Sequence, residues 1–134
     1  MEKAADMNLL NLQNLTNLAT AYLNLGRMPE AERVIKAMLT QNDRYSVAYN
    51  LYGILEIQRG NGDAARSRFE KAVELNPDLT EPYMNLGLLA EKAGQPRIAI
   101  DYYKKFLARA DPKEHGELIP KVKQAIKDLE DGKV

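Results

Sequence analysis

The sequence contains no cysteine, which excludes disulfides, thiolate metal sites and cysteine nucleophiles. It has a single histidine, His115, and only two serines, Ser46 and Ser67. Neither serine lies near His115 in the chain, so no nucleophile–base pair is apparent. His115 falls in the stretch Asp111–Gly116 and is expected to be an exposed, solvated loop residue. No glycine-rich phosphate cradle occurs; Gly60-Asn61-Gly62 reads as a turn between helices. Charge of one sign is also missing: 19 basic residues balance 19 acidic ones. Proteins of nucleic acid or anionic membranes usually carry a basic excess, so neither is expected as the main partner. No window approaches the roughly 18 apolar residues of a membrane-spanning helix. Met1–Asp6 shows no basic start followed by an apolar run, so no signal peptide is visible. A cytoplasmic location is expected, with a periplasmic one left open.

What the chain does have is a double period. Gly26, Gly60 and Gly94 lie 34 residues apart, and so do Ala31, Ala65 and Ala99. A fixed period of this length signals stacked helix–turn–helix units. Aligned in blocks of 34, residues 12–45, 46–79 and 80–113 each open with an apolar stripe at helical spacing. The stripes are Leu15, Leu18, Ala19, Tyr22 and Leu23; Tyr49, Tyr52, Gly53 and Ile57; and Tyr83, Leu86, Gly87 and Ala90. Each ends at its glycine, which supplies the left-handed backbone that stops a helix. Pro29 and Pro96 then suit the first turn of a second helix. The inner faces of the second helices carry Ala31, Ile35 and Met38; Ala65, Phe69 and Ala72; and Ala99, Tyr103 and Phe106. Ser46 and Thr80, one period apart, suit helix N-caps. Gly53 and Gly87, with Ala19 in the first block, are expected to let the paired helices approach closely.

Beyond the third block, Glu117–Asp131 forms an amphipathic helix with Leu118, Val122, Ala125, Ile126 and Leu129 on one face. Such a helix covers the open end of a repeat stack. At the other end, Leu9 and Leu10 continue the pattern of Leu12, and partial extension of the first helix is expected there.

At these residues the chain resembles the tetratricopeptide repeat family. The family pattern runs aromatic, two residues, Leu-Gly, two residues, Tyr, then Ala, three residues, Phe, then Pro. The second block reads Tyr49…Tyr52-Gly53…Glu56, then Ala65…Phe69…Pro77. The third reads Tyr83…Leu86-Gly87…Ala90, then Ala99…Tyr103. The first reads Leu15…Leu18-Ala19…Tyr22, then Ala31…Ile35. Glu56 and Ala90 replace the expected Tyr, Asp43 stands at the closing Pro of the first block, and Pro112 arrives one residue late.

The resemblance implies an all-α solenoid of three repeats and a capping helix, in a single domain over residues 1–134, and a non-catalytic protein-interaction role without cofactor or metal. It places the first helices along a concave groove, with Asn17, Thr20, Val47, Asn50, Ile54, Ile57, Met84, Asn85 and Leu88 as its peptide-binding residues. Large outward apolar groups mark interaction surfaces, so a protein or peptide with apolar anchors is the expected ligand. Chaperone-binding members grip a C-terminal carboxylate with Lys and Asn. Thr16, Thr20, Leu51, Glu81 and Asn85 occupy those positions here, so the cationic clamp is missing. The alternative role is structural: a segment of a longer solenoid, a homo-oligomer, or a regulatory tail. The charged positions of the second helices, among them Arg66, Arg68, Glu70, Glu74 and Lys105, are expected on a solvated convex face, with Arg66 spaced to pair with Glu70.

Overall fold

The computed structural model describes residues 11–132; the expectation for Leu9 and Leu10 lies outside them. The described residues form α1 (Leu12–Asn24), α2 (Met28–Gln41), α3 (Ser46–Gln58), α4 (Gly62–Leu75), α5 (Glu81–Lys92), α6 (Pro96–Arg109), the short α7 (Pro112–His115) and α8 (Leu118–Glu130). No strand occurs among them. Each block of 34 residues thus holds one helix pair, α1–α2, α3–α4 and α5–α6. The capping helix begins at Leu118 and ends at Glu130, one residue inside the expected bounds at each end.

The turns repeat atom for atom. Gly26, Gly60 and Gly94 have φ of +73°, +81° and +74°. In the first turn Gly26 N–H donates to Leu23 O at 3.1 Å and Arg27 N–H to Tyr22 O at 2.9 Å. Asn61 to Glu56 (2.8 Å) and Gln95 to Ala90 (2.9 Å) reproduce the longer bond. This paired pattern is the Schellman motif, which satisfies helix-end carbonyls and requires the left-handed residue. No group lies within 4 Å of a Cβ built on any of the three glycines. They are therefore selected by backbone conformation and not by crowding.

Of the two N-cap expectations, that for Thr80 holds in position and that for Ser46 is corrected. Tyr45 holds the N-cap of α3 and Ser46 is already inside the helix, buried; Thr80 holds the N-cap of α5, but its hydroxyl makes no capping bond. The loops before these helices are held instead by tyrosines one period apart. Tyr49 Oη donates to Asp43 O at 3.0 Å, and Tyr83 Oη to Pro77 O at 2.7 Å. Because the acceptor is a main-chain carbonyl, Asp43 serves as well as the expected proline.

The chain divides into two compact units, Met1–Asn76 and Pro77–Val134. In the first, α1 packs on α2, α3 on α4, and α3 also on α1 and α2. One buried cluster joins Leu15, Ala19 and Leu23, Ala31, Val34, Ile35 and Met38, and Ala48, Leu51, Tyr52 and Leu55. Helices this short are marginal alone, so this shared core supplies most of their stability. In the second unit α5 packs on α6, and α6 on α8. Tyr83, Leu86, Tyr103, Phe106, Val122 and Leu129 are buried there. Ala31, Ala65 and Ala99 are fully buried, as their period implied.

Candidate peptide-binding surfaces

In the first unit the candidate residues sit on α1 and α3. Asn17 and Thr20 are exposed on α1. Gln13 Nε2 donates to Asn17 Oδ1 at 3.1 Å, and Thr20 Oγ1 donates to Thr16 O at 2.8 Å. On α3, Val47 and Ile54 are half-buried and pack on the hydrophobic core. Asn50 is 7% exposed, while Ile57 is 37% exposed. Of the predicted set in this unit, Ile57 is thus the apolar group most available to a ligand. Gln58, beside it, donates from Nε2 to Leu23 O at 2.8 Å and ties the end of α3 to the end of α1. In the second unit Met84 and Asn85 are half-buried on α5, and Leu88 is 44% exposed.

Sequence reasoning missed a polar cluster that joins α2, α3 and α4. Glu32 on α2 accepts Tyr52 Oη at 2.9 Å and pairs with Arg59 Nη2 at 2.6 Å. The Arg59 hydrogen bond, then that from Tyr52, lowers the Glu32 carboxyl from 4.5 to about 2. Burial, then the Glu32 carboxylate, pushes the Tyr52 phenol up. Glu56, at the position of the expected Tyr, is buried. Asn61 Nδ2 donates to it at 3.1 Å, and Arg59 and Arg68 lie 3.8 and 4.0 Å away. A buried carboxylate survives only when charges and donors meet it, and here they do. Arg68, expected on a solvated face, instead stacks over the Tyr52 ring at 3.8 Å. Arg66 pairs with Asp63 at 3.6 Å. In the second unit Tyr103 Oη donates to Glu91 Oε1 at 2.7 Å, and burial followed by that carboxylate raises the phenol. These groups are committed to holding helices together.

His115 departs most from expectation. It is 9% exposed, on α7 and not in an open loop. Asp111 N–H donates to its Nδ1 at 3.3 Å, Nε2 lies 3.3 Å from Glu81 Oε2, and its ring meets Phe106 edge-on at 5.6 Å. With Nδ1 accepting, the ring proton sits on Nε2 and is donated to Glu81. Among the described residues no group of three or more His, Asp or Glu side chains is arranged to hold a metal ion. No helix among them is long and apolar enough to cross a membrane.

Two tetratricopeptide repeat models match the sequence, one over residues 16–80 and one over 80–111. The chain belongs to the tetratricopeptide repeat family. Tetratricopeptide repeat protein 8 of Homo sapiens is 28% identical over 78 residues, covering 58% of this chain and 14% of that protein. BBSome complex member BBS4 of Bos taurus is 30% identical over 100 residues, covering 75% of this chain and 19% of its own length. The chain therefore spans less than a fifth of the length of these relatives. Among solved structures, the Yersinia enterocolitica type III secretion chaperone SycD, in complex with a peptide of the translocator YopD, superposes with a TM-score of 0.79 at 17% identity, over 92% of this chain and 95% of that one. MamA superposes with a TM-score of 0.64 at 21% identity, over 90% and 77%. At these identities the likeness is one of fold.

Proposed function

We propose that the chain is a non-catalytic protein-interaction module, a scaffold or adaptor whose first helices receive a peptide segment or helix with apolar anchors. The observation that carries this reading is the exposure of Ile57 and Leu88 on first helices, in a chain whose other large apolar side chains mostly serve its cores. Asn17 and Thr20 in the first unit, and Met84 and Asn85 in the second, would supply polar and adaptable contacts around these anchors. Val47, Asn50 and Ile54 precede Ile57 along α3 and would extend the contact along that helix. The first helices α1 and α3 bear a single charged residue, Glu56, and it is buried. On these two helices an uncharged surface favours an uncharged, apolar ligand over an acidic tail, whereas α5, which carries Leu88, bears Glu81, Glu91 and Lys92. A preformed helical array loses little entropy on binding. The fold neighbour SycD, which is solved with a bound peptide, supports the reading by analogy of architecture. The small share of each curated relative that the chain covers supports a second reading, in which it is one segment of a longer assembly protein.

The test is selection of binders from a random peptide library against the whole chain, followed by NMR mapping of the best one. Shift changes centred on Ile57 or Leu88 are expected. Shifts confined to the second helices, or a library that yields no binder, would count against the assignment.

A further inference from the structure

We infer that Asn61-Gly62 is a site of spontaneous deamidation that the native turn between α3 and α4 holds closed, and that once Asn61 has become an acid the turn closes less well. Deamidation begins when the amide nitrogen of the following residue reaches the asparagine side-chain carbonyl, and a bulky follower obstructs that approach. Of the ten asparagines, only Asn61 is followed by glycine; the others precede Leu, Asp or Pro. Asn61 and Gly62 are both exposed, so water and hydroxide reach them. Gly62 is the first residue of α4, where an amide has no acceptor within its own helix.

In the reaction the Gly62 nitrogen bonds to Asn61 Cγ, the Cγ–Nδ2 bond breaks, and Nδ2 leaves as ammonia with the proton that Gly62 gave up. Water then opens the cyclic imide. Attack at Cγ gives aspartate; attack at the main-chain carbonyl gives isoaspartate, whose backbone runs through the side chain and is one methylene longer. Nothing is oxidised or reduced. One amide and one water become one carboxylic acid and ammonia, and the acid is ionised at neutral pH.

The native backbone forbids the first step. Ring closure needs Gly62 N eclipsed with Asn61 Cβ about the Cα–C bond, which an L-residue meets only at strongly negative ψ. Asn61 has φ of −102° and ψ of 76°, which sets Gly62 N on the far side of that bond from Cβ. Asn61 N–H donates to Glu56 O at 2.8 Å and its Nδ2 to Glu56 Oε1 at 3.1 Å, so main chain and side chain are anchored to one residue. Reaction therefore waits for the turn to open locally. Afterwards the side-chain anchor is gone. An aspartate offers acceptors only, and it would face the buried carboxylate of Glu56. Arg59 and Arg68, at 3.8 and 4.0 Å, already attend that carboxylate. An acid that turned away to cap α4 would leave Glu56 without its amide donor. This arrangement belongs to the second repeat: one period either side, Tyr22 with Arg27 and Ala90 with Gln95 hold the two positions. A modified chain is thus one that has opened at this turn, and it carries a chemical record of the opening.

The experiment holds the whole chain for several days in mildly alkaline buffer, with and without denaturing urea. Mass spectrometry of the peptide that carries Asn61 follows the exchange of amide for acid. Conversion is expected in urea, and at least about tenfold more slowly in the folded chain, where only the opened turn reacts. Gly62→Ala, whose Cβ meets nothing within 4 Å, should fold normally and lose the reactivity at Asn61. The modified chain, once isolated, and Asn61→Asp should both unfold at lower urea than the wild type. Equal rates in the folded and unfolded chain would overturn the gating, and conversion undiminished in Gly62→Ala would overturn the assignment of the nucleophile. A modified chain that unfolds at the same urea concentration as the wild type would overturn the weakened closure.

Discussion

Gly53 sits against the ring of Phe69 so closely that a Cβ placed on it would lie 2.6 Å from Phe69 Cδ1. One period later Gly87 stands in the same relation to Tyr103, 2.5 Å from Cε1. Both rings are buried, Phe69 completely, so neither has room to withdraw. In the second and third repeats the first helix reaches its partner this closely because the side chain is missing at that one point.

Gly53→Ala should therefore destabilise the protein. Alanine gains roughly 0.5–1 kcal/mol over glycine inside a helix, but overpacking of a closed core costs about 1–3 kcal/mol, and the second effect wins. Gly87→Ala should behave alike. Urea unfolding gives the difference directly, and Gly53→Ala combined with Phe69→Leu should recover part of the loss. A neutral Gly53→Ala would mean that the helices can slide apart without penalty, and that the Gly–ring contact does not set their spacing.

The Glu32 carboxylate predicts an acid-sensitive contribution. Its carboxyl lies at about 2, below the ordinary 4.5, chiefly through the Arg59 hydrogen bond. A depressed carboxylate contributes stability that is present above 4.5 and is lost as pH falls through 2. Glu32→Gln should cost about 1–3 kcal/mol at neutral pH, and the gap to the wild type should close as pH falls toward 2. Parallel urea titrations at both ends of that range provide the check. A gap of constant size would show that the substitution forfeits packing and not charge pairing.

Ile54 and Leu88 occupy equivalent register positions, and sequence alone treats both as outward. The structure separates them: Ile54 packs on the first unit's core, while Leu88 is exposed. Ile54→Lys should lose about 1–3 kcal/mol by forcing a charge against apolar neighbours, whereas Leu88→Lys should stay within about 0.5 kcal/mol. Thermal melts of the two single variants decide it. Equal effects would mean that the register, and not the local packing, governs exposure.

This difference illustrates how far the sequence could be read. Backbone-determined features were legible, because left-handed turns and close helix crossings each admit very few residue types. Gly26, Gly60 and Gly94, the buried Ala31, Ala65 and Ala99, and the Gly53 and Gly87 contacts all follow from that narrow choice. Polar side chains were not, because their fate depends on partners distant in sequence. Glu56 is buried where Asn61, Arg59 and Arg68 converge on it, and Arg68 is drawn over the ring face that Tyr52 offers while staying partly exposed. No local pattern encodes such meetings. For the candidate ligand contacts, spacing assigns residues to helices, but the burial of Asn50 and the exposure of Ile57 emerge only when the neighbouring helices are in place.

His115 gives the clearest consequence of a meeting of that kind. Its ring touches Phe106 on α6, accepts from the Asp111 amide, and donates to Glu81 at the start of α5. One side chain thus ties the segment before α8 to both helices of the third repeat. His115→Ala should cost about 1–3 kcal/mol, from the lost ring volume and the unpaired Asp111 amide. His115→Gln, which keeps hydrogen-bonding capacity, should cost less. Hydrogen exchange offers a local readout: the Asp111 amide should lose protection in His115→Ala while the amides of α1 to α4 keep theirs. Full stability of His115→Ala, with Asp111 still protected, would return His115 to the solvated role that its place in the sequence suggested.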